Sequence, residues 1–177
     1  DAYESFSDQP VYARTYVNIL QDFARLAQSK GWTQTGFQVY FNNKGSLNDP
    51  AKAPWILDEP SGYWDYRALQ FYGELTDCGR EVTPRVNINY RIDISRPEYC
   101  RGQLAGRDDL WIVSSWAFQH YRRLVTDRMQ HDGLMAWVYG SSNHVHETNR
   151  NVQAWALDAW QEGATGIVPW QTVNKSG

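Results

Sequence analysis

Residues 110–140 read LWIVSSWAFQHYRRLVTDRMQHDGLMAWVYG, and their reading decides the fold. LWIVSSW (110–116) is an apolar run of strand length. FQHYRRLVTDRMQ (118–130) has helical spacing, with Leu124, Val125 and Met129 on one side, and Asp132-Gly133 ends it. LMAWVYG (134–140) is apolar again. A strand, a helix and a second strand without a hairpin turn bring the chain back in its original direction. The two strands are therefore expected to be parallel.

The same alternation extends both ways. VYARTYVNILQDFARLAQS (11–29) spaces Val17, Leu20, Phe23, Ala24 and Ala27 as one helical face, with Gly31 as its stop. GFQVYFN (36–42) alternates as a strand does, and the short apolar run PWIL (54–57) reads as another. Residues 62–78 are helical, with Tyr66, Leu69, Phe71, Tyr72 and Leu75 toward a core and Gly79 closing the helix. RVNINY (85–90) is a strand, followed by a loop with a short helix over 95–105. VQAWALDAWQEG (152–163) is a helix, and GIVPWQT (166–172) closes the series.

Six strands alternating with helices predict an α/β fold with a parallel sheet. An open doubly wound sheet and a (β/α) barrel both satisfy the pattern. The strand ends favour the barrel, because most finish in polar or aromatic residues that would form one shared mouth. A full (β/α)8 TIM-type barrel needs about 250 residues. The expectation is such a barrel lacking its first two β/α units, with residues 1–177 as a single partial catalytic domain. The opening DAYESF has neither initiator Met nor signal peptide, and both ends read as cuts.

Composition narrows the function classes. A net charge of −3 gives no electrostatic reason to expect a nucleic acid or an anionic membrane as partner. No apolar run approaches a membrane span. Arg122, Arg123 and Arg128 read as the solvated face of a helix. Nine Trp, eleven Tyr and six Phe make up 15% of the chain, above average; much of this suits a core, and surplus Trp and Tyr suit faces that stack on flat apolar ligands, sugars among them. Cys78 and Cys100 have no metal spacing; free buried thiols are expected, with one bridge as the alternative. His144 and His146 with Glu147 form too weak a ligand pattern for a metal site, so no metal or cofactor is expected.

The chemistry concentrates at WILDEPSGYW (55–64), where Asp58 and Glu59 stand side by side at the end of an apolar run. Pro60 restricts Glu59 to extended dihedrals. Neighbours in a regular strand point to opposite faces, so both acids reach one pocket only if the chain bends. The Pro-Ser-Gly that follows allows a bend. Adjacent carboxylates are badly placed to attack a sugar from opposite sides. They suit a substrate whose own 2-acetamido oxygen is the nucleophile, with one acid orienting the acetamido N–H and the other protonating the leaving oxygen.

WILDEP, the upstream FQVYFNNKG and the closing AWQEGATGIVPWQT together resemble glycoside hydrolase family 123 and its barrel relatives, over roughly residues 35–173. The resemblance implies a (β/α)8 catalytic domain with the acid pair at the end of its fourth strand, and retaining exo-hydrolysis of β-linked N-acetylgalactosamine without a metal. It also implies a preceding β-sandwich with the missing barrel units in the full protein, and a bacterial, extracytoplasmic location. By the same resemblance Asp58 would position the acetamido group, while Glu59 would act first as acid and then as base.

Candidate substrate-binding residues are Asn42, Lys44, Asn89, Tyr90, Trp116, Tyr139 and Trp170. Tyr139 or Tyr90 would donate to the acetamido oxygen, and Trp116 and Trp170 would form the sugar platform. Two rival readings remain at this stage. One is a retaining glycosidase with a separate nucleophile, Asp93 or Glu147. The other is a catalytically silent carbohydrate-binding barrel.

Overall fold

A computed structural model describes residues 9–43, 55–140 and 147–169. Five strands alternate with helices: α1 (Pro10–Ser29), β1 (Gly36–Val39), α2 (Tyr63–Arg80), β2 (Asn87–Asp93), β3 (Leu110–Ser114), α3 (Ser115–Asp132), β4 (Met135–Gly140), α4 (Asn149–Gln161) and β5 (Gly166–Pro169). Between β2 and β3 the crossover carries only a 3-10 turn, Pro97–Tyr99. All four pairings are parallel, and the spatial order is the chain order, β1-β2-β3-β4-β5. That order, with no reversal along the sheet, rules out a doubly wound arrangement.

The sheet is a half-barrel of five strands, which overturns the expectation of a (β/α)8 barrel short of its first two units. The sixth strand is missing because WIL (55–57) never enters the sheet. β1 pairs directly with β2, Gly36 opposite Asn87 through Val39 opposite Tyr90, leaving no place between them. The backbone donors of this segment go elsewhere. Ile56 N–H donates to Asp65 Oδ1 at 2.8 Å, and Leu57 and Asp58 N–H both donate to the Asn43 carbonyl, at 3.0 and 3.2 Å. Trp55 and Leu57 are still buried, which explains their apolar character without a ladder.

One face of the sheet carries the helices. Tyr90, Ile92, Trp111, Val113, Ala136 and Val138 point into a core shared with Leu69, Phe118, Val125 and Ala159 from α2, α3 and α4. A smaller cluster joins Ala24 and Ala27 of α1 to Val86 and Ile88. Gly79 does not close α2, which continues to Arg80. It is buried inside the helix, where a Cβ would lie 2.6 Å from Leu20, so the glycine permits the close approach of α1. Gly31 and Gly133 do end their helices, both at φ +72°.

The opposite face holds Gln38, Asn87, Asn89, Arg91 and Asp93, and the acids lie at its carboxyl end. Both cysteines are free; Cys100 is buried, whereas Cys78 is exposed, against the expectation that both are buried. No described helix is long and apolar enough to cross a membrane.

Candidate active site

Asp65 builds the platform for the acid pair. Its buried carboxylate accepts the N–H groups of Ser61 (3.1 Å) and Gly62 (2.8 Å) at the start of α2, besides that of Ile56. One side chain thereby caps the helix and ties down both ends of the loop carrying residues 57–60.

The bend that the acids need lies at Glu59 itself, at φ +62°, the left-handed region. For a residue with a Cβ this costs about 1–2 kcal/mol, which the surroundings must offset. Glu59 N–H donates to the Asp93 carbonyl at 3.1 Å. Its carboxylate Oε1 accepts from the Tyr139 hydroxyl at 2.6 Å and from the Ser95 hydroxyl. The left-handed step breaks the strand alternation that would have separated the two neighbours.

Asp58 is 2% exposed, and its Oδ2 accepts from the Tyr40 hydroxyl at 2.9 Å. Arg91 lies over the Tyr40 ring, 4.2 Å from its centroid, and grips Asp93 with Nε to Oδ1 at 2.8 Å and Nη2 to Oδ2 at 2.9 Å. Burial works against the Arg91 charge, yet the bonds to Asp93 outweigh it and raise its pKa. Burial, with Asp93 and Asp58 adding to it, pushes Tyr40 well above the ordinary phenol range. Burial and the bond to Glu59 lift Tyr139 to about 12. Both tyrosines are neutral donors at any ordinary pH. Removing the Tyr40 hydroxyl (Tyr40→Phe) is expected to cost about 1–3 kcal/mol of stability, because buried Asp58 loses a donor. Urea denaturation measures the loss, and an unchanged midpoint would mean that the bond carries nothing.

A cleft of about 380 Å³ opens at this end of the sheet, lined by Glu59, Ser61, Ser95, Arg96, Ser114, Trp116 and Tyr139. Trp116 is 52% exposed and stacks on His120, ring centroids 4.2 Å apart. Ser115 donates to the Tyr139 carbonyl at 3.1 Å and so fixes the end of β4 beside the cleft.

The other residues singled out in the sequence fall in different places. Tyr90 is fully buried on the helical face, its hydroxyl donating to the Leu69 carbonyl at 3.0 Å, so it does not reach the cleft. Asn89 sits toward the amino end of the sheet with Asn87, in a separate depression that includes Arg85 and Asp109. Asn42 is exposed, two residues beyond Tyr40. Lys44, Trp170, His144 and His146 lie outside the described residues. Asp93 is held by Arg91, and Glu147 accepts from Asn151 Nδ2 at 2.8 Å. Among the described residues no cluster of His, Cys, Asp and Glu is arranged to hold a metal ion.

Sequence alone does not single out Tyr40, Ser95 and Arg96, although for Ser95 and Arg96 a signal exists. β2 continues beyond Tyr90 as Arg91-Ile92-Asp93, and Ile94 N–H still donates to the Ile112 carbonyl at 2.8 Å. The polar–apolar alternation of RIDI carries the strand onward and moves the mouth to Ser95 and Arg96. No protein-family model, curated protein or solved structure matches the chain.

Proposed function

We propose that this chain is a glycoside hydrolase that removes β-linked N-acetylhexosamine, with N-acetylgalactosamine the favoured sugar, by a retaining, substrate-assisted mechanism. The observation that carries the reading is the left-handed turn at Glu59. It spends conformational energy to hold two sequence-adjacent carboxylates at one sheet end, with Glu59 on an aromatic-walled cleft and Asp58 buried beside it. Neighbouring acids cannot straddle a sugar ring, so the nucleophile comes from the substrate.

In this reaction Glu59 gives its proton to the leaving oxygen as the C1–O bond breaks. The acetamido carbonyl oxygen bonds to C1 from the opposite face. From its buried place beside the cleft Asp58 balances the positive charge of the oxazolinium ion, and it accepts the acetamido N–H only once the bound sugar uncovers it. Glu59 then takes a proton from water as that water opens the ring at C1. Trp116 offers a flat exposed face for the sugar. Tyr139 is engaged with Glu59 in the free protein, so it serves the acid before it can serve the acetamido oxygen.

The reading with a separate nucleophile is weaker, because Asp93 is neutralised by a two-point bond to Arg91. The test compares nitrophenyl N-acetyl-β-galactosaminide with the nitrophenyl β-galactoside that lacks the acetamido group, with and without a thiazoline analogue of the intermediate. Hydrolysis is expected only of the acetamido sugar, with inhibition by the thiazoline. Equal hydrolysis of both without inhibition would point to a protein nucleophile, and sugar binding without hydrolysis to a silent domain.

A further inference from the structure

We propose that Ser95 is a positioning residue for Glu59, so that the end of β2 sets both the orientation and the proton balance of the acid. The inference rests on the reading of Glu59 as the acid and base, and it adds a residue and a pH consequence to that reading. Three contacts carry it. Ser95 and Tyr139 hydroxyls both donate to the same carboxyl oxygen, Oε1, and lie 3.0 Å from each other. Two residues before Ser95, the Asp93 carbonyl accepts the Glu59 N–H at 3.1 Å. A single strand end therefore holds Glu59 by its main chain and by its side chain.

Ser95 is itself well fixed. Ile94 is fully buried and bonded to β3, and Pro97 begins the 3-10 turn on the other side. A serine held this way aims its hydroxyl with little freedom, and two donors on one oxygen stop the carboxyl group from turning about its last bond. Both donors also favour the ionised over the protonated carboxyl. Among the described residues, the other titratable or charged groups around Glu59 are Asp58 on its own segment, Asp93 with its partner Arg91 and Arg96 at the end of β2, and Tyr139 from β4. Asp58 holds the proton on and Arg96 helps release it, while the charge of Asp93 is offset by Arg91. All remain in a Ser95 variant, so a change in the acid's titration reports Ser95 alone.

In Ser95→Ala the Glu59 carboxyl loses one donor to its charged form. The upper limb of the kcat/KM profile for an unactivated β-N-acetylgalactosaminide, whose leaving oxygen must be protonated, is expected to move up by about half to one pH unit. The loss, about tenfold, is expected in kcat with little change in KM. Ser95→Thr, which keeps the hydroxyl, is expected to restore the limb. A limb that stays in place or moves down overturns the proposal, as does a Thr variant no better than Ala. Should Ser95→Ala fail to fold, Tyr139→Phe removes the second donor and must shift the limb the same way; no shift there also overturns it.

Carbon-13 NMR titration of the Glu59 carboxyl, wild type against Ser95→Ala without substrate, gives a readout independent of turnover. A rise in the variant with no hydrolysis of any acetamido sugar would support the positioning role and reject the proposed reaction. Equal titration in the two proteins would reject the positioning role whatever the activity.

Discussion

Glu59→Gln is expected to lower kcat/KM on an unactivated β-N-acetylhexosaminide by about 10³-fold or more, at the upper end of what a positioned acid and base contributes. Glutamine keeps the shape of the side chain, and its carbonyl oxygen can still accept from Ser95 and Tyr139. The fold should therefore survive, leaving the loss of the transferable proton as the cause. A nitrophenyl leaving group needs little protonation, so cleavage of that bond should suffer less. Hydrolysis of the intermediate still needs a base, so overall turnover falls there too. Steady-state kinetics on the two substrates checks both statements. Near-normal turnover of the unactivated glycoside would remove Glu59 from the mechanism.

The second large effect concerns stability and lies away from the cleft. Asp108 precedes β3 and is 6% exposed. Its Oδ2 accepts from the Trp111 indole N–H, while Oδ1 has no hydrogen-bond partner among the described residues. Burial raises its pKa to about 7 against the Trp111 bond, and Asp132 and Asp109 push the same way as burial. Between the ordinary carboxylate value, about 4, and 7 the folded chain keeps a proton that the unfolded chain has lost. Stability from this group is therefore greatest at the acid end of that window and declines as pH rises through 7. The decline amounts to as much as about 4 kcal/mol.

Asp108→Asn removes the titration while keeping an acceptor for Trp111. Against this gain, the new amide NH2 takes the place of Oδ1, which has no hydrogen-bond partner among the described residues, and an unpaired N–H there costs about 1–3 kcal/mol. The variant is expected to be more stable than wild type at pH 8 by about 1–2 kcal/mol, and less dependent on pH between about 4 and 7. Denaturation midpoints of both proteins across that range give the answer. Parallel curves would show that Asp108 titrates normally.

Several features could be read from residue order because the physics behind them is local. Helical spacing around Phe23-Ala24-Ala27 and the strand–helix–strand pattern of 110–140 follow from side-chain periodicity, and both occur in the structure. The stop at Gly133 is a matter of one left-handed residue. PWIL misled because an apolar run this short is the same whether its N–H groups join a ladder or bond to Asn43 and Asp65. Gly79 misled because a glycine near a helix end looks alike whether it terminates the helix or admits a neighbouring one.

By itself the sequence determined that the chain is α/β with parallel strands, and that two acids stand together beyond an apolar run. Both depend only on the spacing of neighbouring residues. Tertiary structure alone decided that five strands form the sheet in chain order, and that the bend falls on Glu59 rather than on the Pro-Ser-Gly after it. It also decided which side chains meet the acids. Tyr40 reaches Asp58 across 18 residues, and Ser95 and Tyr139 reach Glu59 across 36 and 80. Such pairings are set when parallel strands align in register, and hydrogen bonds between their ends leave no periodic trace along the chain.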